Sequence, residues 1–363
     1  MWSLKGAGPD YHGPGMNAWR LYTKLKPEYG TVRLLHANPD QRVAASDPWV
    51  DSFCATGLHS NKLQWPLTIA SAVAYLRRNR AEIDVVHALA GFYPSILFAL
   101  AAESLGIPSV VKIAANGTEI RSEAGIRNIH RQIRHCAMRK VSAFVAISAE
   151  IAEGLRALGI PEDRVHLIPN GVDTELFSPP ESLFQQGTKK RILFCGSLVR
   201  RKRPHLLLSA IPFLQKNHDV EVIFAGPAHD EPYFEELKVI ATNCGIADRV
   251  FWSGFVNDMP NLLRSVDAIC LPSAGEGMAN AILEAMATGV PFVVTPCSGM
   301  EELAASGGGV IAEAEPKEIA MALDQVLVNA ATFGSKGRTA ALQRYSTDVI
   351  LRDHLSLFER LKK

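Results

Sequence analysis

Short, almost wholly apolar runs alternate along this chain with longer stretches whose apolar residues recur at helical spacing. Residues 31–35, 85–87, 109–113, 143–147 and 165–168 read as strands, and 65–80, 94–105, 127–139 and 149–158 as helices. The pattern repeats from 192 to about 334, and 348–361 reads as a last helix. This alternation predicts parallel sheets and an α/β protein. A stretch rich in Pro and polar residues at 178–188 is the expected boundary, giving units at 1–180 and 181–345 and a terminal helix in 346–363.

Length and composition agree with two units. A chain of 363 residues with 47% hydrophobic side chains can bury two cores. A net charge of +1 leaves no basic field to recruit nucleic acid. The cysteines at 54, 136, 195, 244, 270 and 297 form no C-x-x-C pair and read as buried free thiols of a reducing cytosol. No apolar stretch reaches the roughly 18 residues that cross a bilayer, and the opening residues have no signal-peptide apolar region. The expectation is a cytoplasmic protein.

The richest stretch is Glu276-Gly-Met-Ala-Asn-Ala-Ile-Leu-Glu284, closed by Gly289-Val-Pro291. The pattern predicts a strand at 268–271, a helix at 280–288 and a strand from 292 to 295. Glu276 then lies in a loop at a strand's carboxyl end, where parallel α/β sheets bind ligands. The N–H groups at the helix start near Asn280 suit an anion such as a diphosphate. The two carboxylates can bind sugar and ribose hydroxyls. The plain alternative is a βα unit with two surface glutamates.

Other segments decide between these readings. Gly196-Ser-Leu-Val-Arg-Arg-Lys202 follows an apolar run, as do Phe224-Ala-Gly226-Pro and Gly254-Phe255-Val. Pro169-Asn-Gly171-Val-Asp173 leads to Phe177-Ser-Pro179, and Ser298-Gly299-Met-Glu-Glu302 comes last. In this order, around an E-x7-E signature, they resemble the retaining, nucleotide-sugar-dependent glycosyltransferases of the GT-B type, family four. The resemblance covers about residues 80–363.

That resemblance implies two Rossmann-like, doubly wound parallel-sheet domains facing across a cleft, acceptor side first and nucleotide-sugar side second. The final helix would cross back to the first domain. The donor would be a nucleoside-diphosphate sugar, UDP or GDP most naturally, with no other cofactor. The acceptor would be a hydroxyl of a glycan, a lipid-linked glycan or a small metabolite. Glu276 would meet the transferred sugar and Glu284 the ribose. Gly277, Met278, Ala279 and Asn280 would present backbone N–H groups. Gly196 and Lys202 would hold the diphosphate, with Gly226, Gly254 and Phe255 at neighbouring strand ends; a core phenylalanine is the plain alternative for Phe255. Gly15, in the Gly-rich segment near the amino terminus, would lie beside the donor phosphates. No metal is implied, because Lys202 can neutralise the leaving group and no D-x-D motif stands beside it.

Three departures from the family pattern matter. Ser197 stands where relatives carry Arg, so Arg200, Arg201 or Arg203 would have to supply that cation, Arg201 being nearest to Lys202. Asn116 stands where many relatives carry a histidine facing the sugar, which keeps a polar contact but no proton transfer. At most residues 1–4 remain for the family's opening strand. A nucleotide-sugar-binding protein without catalysis and a two-Rossmann epimerase are the alternatives these departures leave open. A glycosidase-like carboxylate pair is set aside, since no second acid shares the Glu276 loop. His87 faces either a cleft or a structural partner. Arg127, Arg131 and Arg134 recur along one predicted helix and suit an anionic membrane surface or a lipid-pyrophosphate acceptor, against a solvated helix face.

Overall fold

The computed structural model describes residues 1–3, 7, 14–38, 40, 47–55, 65–114, 134–180 and 189–362. The chain divides into two compact units, Met1–Gly171 with Thr347–Lys363, and Val172–Ser346. The division lies between Gly171 and Val172, ahead of the stretch at 178–188, of which 181–188 lie outside the described residues. The reason is local. Phe177 is buried within the second unit, and Arg264 Nε donates to the Ser178 carbonyl at 2.9 Å.

The first unit is built on a seven-stranded parallel sheet. Its strands are β1 (Trp2–Ser3), β2 (Val32–His36), β3 (Trp49–Cys54), β4 (Val86–Ala88), β5 (Ser109–Ile113), β6 (Ala143–Ala146) and β7 (Val165–Leu167), in the order β3-β2-β1-β4-β5-β6-β7. The short first strand is therefore central, not an edge. Trp2 anchors it, fully buried and stacked on Phe98 at 4.4 Å between ring centroids. Trp2 pairs with Leu35 and Ala88, so β2 and β4 both begin before β1 does. A cavity of about 270 Å³ opens there, lined by Met1, Val32, Val86, Phe98 and Leu355 among others. Ile350, Leu351 and Leu357 of the final helix Thr347–Leu361 share this unit's core with Ala18, Leu21 and Tyr22.

Several sequence expectations need correction in this unit. The helix Pro14–Thr23 begins inside the segment read as a Gly-rich loop, so Gly15 is a buried residue of a first helical turn. Pro at a helix start has a fixed, helix-compatible φ and no N–H to leave unpaired, which explains the start. Arg134 is 6% exposed and its Nη2 donates to the Gly91 carbonyl at 3.2 Å, so it is not part of a solvent-facing cationic stripe. Arg127, Arg131 and Asn116 lie outside the described residues. His87 is structural: it is buried, with Nδ1 bonded to the Tyr22 hydroxyl at 2.7 Å. All six cysteines are unbridged, but only Cys270 is fully buried, and Cys54 and Cys136 are exposed. No described helix is long and apolar enough to cross a membrane.

The second unit carries a six-stranded parallel sheet: β8 (Lys190–Cys195), β9 (Val220–Ala225), β10 (Val250–Gly254), β11 (Ala268–Leu271), β12 (Phe292–Val294) and β13 (Gly309–Ile311). Their order is β10-β9-β8-β11-β12-β13. The strand order reverses between neighbours β8 and β11. The loops after those two strands leave in opposite directions and open a crevice at their carboxyl ends, the usual ligand position in this class of sheet.

Candidate functional site

The glycines that follow the strands and the first carboxylate of the signature emerge at that edge. Gly196 directly follows β8, Gly226 follows β9, Gly254 ends β10, and Glu276 sits in the loop after β11. Gly196 has φ +138°, and a Cβ placed on it would lie 2.7 Å from Lys202 Nζ. Gly226 has φ +153°, and its Cβ would lie 2.1 Å from the Gly196 carbonyl oxygen. A side chain is thus excluded at Gly226 by backbone sterics as well as by φ, while at Gly196 it is disfavoured by φ and would displace the Lys202 ammonium. The strand ends close on one another through Gly196 N–H to Ala225 O at 2.8 Å and Gly226 N–H to Gly254 O at 2.6 Å.

Past Gly196 the chain makes one 3-10 turn, Arg200–Lys202, ended by Arg203 in the left-handed region at φ 50°. This turn fans its cations apart. Arg200 pairs with Glu236 at 2.6 Å and lies over the Tyr233 ring at 4.4 Å. Arg203 occupies the N-cap position of the next helix, with no side-chain cap bond. Arg201 and Lys202 turn instead toward Glu276: Arg201 Nη1 is 3.1 Å and Lys202 Nζ 3.2 Å from its Oε1. Arg201 Nη1 also donates to the Gly275 carbonyl.

A third donor reaches the same oxygen. Ser273 Oγ lies 3.0 Å from Glu276 Oε1, and Ser273 is fully buried. Lys202 and Glu276 are only 16% and 13% exposed at the side chain, so this pair is held largely out of water, whereas Arg201 is 53% exposed. Coulomb attraction is less screened for the first pair than for the second. No described contact involves Glu276 Oε2.

The helix Asn280–Thr288 begins where the sequence places it, with Ala279 at its N-cap and no side-chain cap on its first turn. Its end is set by Gly289 at φ 78°. Gly277, Met278 and Ala279 are buried, and the Gly277 carbonyl would lie 2.2 Å from a Cβ on Gly299. Glu284, one turn into the helix, is 8% exposed. Burial pushes the Cys195 thiol up to about 12; the Glu284 charge adds to this and the Lys202 charge opposes it. Phe255 is 60% exposed next to Gly254, so it is not a core side chain. Among the described residues no cluster of His, Cys, Asp and Glu has metal-binding geometry.

Sequence reading gave no part to Ser273 or Thr295. Ser and Thr after a strand carry no signature of their own; only the fold shows that Thr295 Oγ1 donates to the Ser273 carbonyl at 2.7 Å.

Comparison with known proteins gives consistent matches. The model of the family described as "Glycosyl transferases group 1" matches residues 179–340, and that of "Glycosyltransferase Family 4" matches 11–176. An uncharacterized glycosyltransferase of Methanocaldococcus jannaschii is 26% identical over 267 residues, covering 67% of each chain. The UDP-Gal:alpha-D-GlcNAc-diphosphoundecaprenol alpha-1,3-galactosyltransferase of Escherichia coli is 27% identical over 62% of this chain and 61% of its own. The matched part thus spans about two thirds or less of these curated relatives. The crystal structure of Anabaena HepE in complex with UDP superposes with a TM-score of 0.81 at 21% identity, covering 99% of both chains.

Proposed function

Because this chain belongs to the group 1 glycosyltransferases, with two Rossmann-like units of the GT-B type, we propose that it moves a sugar from a nucleoside-diphosphate sugar to a hydroxyl acceptor with retention at the anomeric carbon. The observation that carries the reading is the clasp on Glu276 Oε1 by Lys202, Arg201 and Ser273, at the crevice between β8 and β11. Support for the donor class comes from the relatives. The Escherichia coli protein is named for UDP-Gal, and HepE has been solved with UDP and with UDP-glucose. The same Escherichia coli name, a diphosphoundecaprenol-linked sugar as acceptor, makes a lipid-linked glycan the first acceptor to try.

Each residue takes a part that its chemistry allows. Lys202 has further N–H donors beyond the one on Glu276, and these face a leaving diphosphate. Arg201 supplies the second cation that Ser197 cannot. The start of the helix Asn280–Thr288, whose N-cap Ala279 has no side-chain cap bond, adds backbone N–H groups. Glu276 Oε2 accepts from hydroxyls of the transferred sugar, and Glu284 from those of ribose. As the anomeric C–O bond breaks, negative charge grows on the leaving phosphate and the cations stabilise it. The acceptor hydroxyl attacks from the same face and passes its proton to that phosphate. No protein nucleophile is needed.

The test is donor turnover. Release of UDP or GDP from UDP-glucose, UDP-galactose or GDP-mannose is measured with and without a polyprenyl-diphosphate-sugar acceptor, and the product anomer is read by NMR. Acceptor-stimulated release with an unchanged anomeric configuration is expected. An inverted product would overturn retention, and failure to bind any of the three nucleotide sugars would overturn the donor assignment.

A further inference from the structure

We infer that Ser273 is a positioning residue of the transfer reaction, setting which oxygen of Glu276 meets the sugar. The inference rests on the glycosyltransferase reading above. Ser273 lies two residues past β11 and is fully buried, so its hydroxyl has no water to bond. A hydroxyl has a single hydrogen to donate. Three acceptors lie within reach of Ser273 Oγ: Glu276 Oε1 at 3.0 Å, the Arg201 carbonyl at 3.3 Å and the Gly275 carbonyl at 3.3 Å. The carboxylate is both nearest and charged, so it takes the hydrogen.

The backbone that carries this hydroxyl is held from behind. Thr295, 1% exposed and just past β12, donates its Oγ1 to the Ser273 carbonyl at 2.7 Å. Ala274 N–H donates to the Arg201 carbonyl at 2.8 Å, which ties the same loop to the turn that carries both cations. Lys202 and Arg201 are long side chains that follow a charge wherever it moves. Ser273 is short and fixed to the sheet, so of the three donors only it sets direction. With Oε1 pinned to the sheet side, Oε2 is the oxygen presented to substrate. A carboxylate swinging about its last torsion would lose that alignment, and misalignment of this kind is costly in rate.

The experiment compares wild type, Ser273→Ala, Glu276→Gln and the double variant, with nucleoside diphosphate release as the rate and calorimetric UDP or GDP affinity as the control. Ser273→Ala should lower kcat tenfold or more, leave nucleoside diphosphate affinity within about twofold, and add little in the Glu276→Gln background. A loop that had merely collapsed would lower UDP or GDP affinity as well, and that result would overturn the positioning role. So would wild-type kcat in Ser273→Ala, or fully additive losses in the double variant. Thr295→Val, which removes the rear support and leaves Ser273 itself in place, should give a smaller fall of the same kind; an unchanged kcat there together with additivity above would leave nothing of the role. If wild type turns over no nucleotide sugar, the glycosyltransferase reading fails and the Ser273 role fails with it, whereas an active wild type with an indifferent Ser273→Ala overturns Ser273 alone.

Discussion

Lys202 Nζ stands 3.2 Å from Glu276 Oε1 directly above Gly196, where a single added methyl group would come within 2.7 Å of the same ammonium. A side chain at position 196 would thus displace the charged end of Lys202. Gly196→Ala should strain a backbone at φ +138° and move the Lys202 ammonium away from the leaving diphosphate. The strain alone costs about 1–3 kcal/mol. The expected outcome is a lower unfolding midpoint together with at least tenfold weaker nucleoside diphosphate binding, measured by urea titration and calorimetry. A variant that keeps wild-type affinity would show that Lys202 does not need this perch.

Lys202→Ala should be the most damaging single change to diphosphate binding. A charge-assisted contact contributes about 1.5–3 kcal/mol, or one to two decades in affinity. Arg201 is the only member of the Arg200–Lys202 turn besides Lys202 that reaches Glu276, since Arg200 is committed to Glu236. Arg201→Ala should therefore also cost nucleotide affinity, and Ser197→Arg should restore part of it. If Arg201→Ala is silent and Ser197→Arg adds nothing, the second cation does not come from this turn.

Turnover should persist in excess EDTA, because the cations and the helix start supply the positive charge at the leaving group. Full loss with EDTA, restored by magnesium or manganese, would refute that charge balance.

What the sequence made legible follows from how strongly each feature is tied to local pattern. The inner strands read clearly because parallel strands covered on both faces are apolar at nearly every position. The helix Asn280–Thr288 read clearly because strong helix formers end in Gly289-Val-Pro291. The strand Trp49–Cys54 was not seen. It is an edge strand whose Val50, Asp51 and Cys54 are exposed, so no apolar run marks it. The helix Pro14–Thr23 was hidden by Gly-Pro-Gly, which signals a turn and a helix start equally well. Arg134 was placed on a solvent face because spacing alone does not reveal which way a helix turns. The glycines and carboxylates of the site were legible through their spacing. Ser273 was not, since its role depends on a carboxylate three residues on and on Thr295 at the end of the next strand.

Acid should weaken the first unit. His354 is fully buried beside His87, their rings 5.4 Å apart, and burial drives its pKa down to about 3; His87 is lowered well below its usual range by burial, by His354 and by Lys112. Both are neutral in the fold, while in the unfolded chain they take up protons near pH 6.5. Below that pH the unfolded state binds more protons, so stability is full above about 6.5 and falls toward 3, by up to about 1.4 kcal/mol per pH unit for each histidine. Urea titrations at pH 7.5, 6.0 and 5.0 should show this slope, and His354→Phe should flatten it. An equal slope in the variant would assign the acid sensitivity elsewhere.

The most direct measurement sets turnover against affinity in Glu276→Ala and Glu284→Ala, using whichever nucleotide sugar the wild type consumes. Glu276→Ala should lose most turnover and bind the nucleoside diphosphate nearly as wild type does, because its contacts are to the sugar. Glu284→Ala should weaken nucleoside diphosphate binding, because its contacts are to the ribose. Retained turnover in Glu276→Ala, or equal losses of nucleotide affinity in both variants, would contradict the placement of the donor across these two carboxylates.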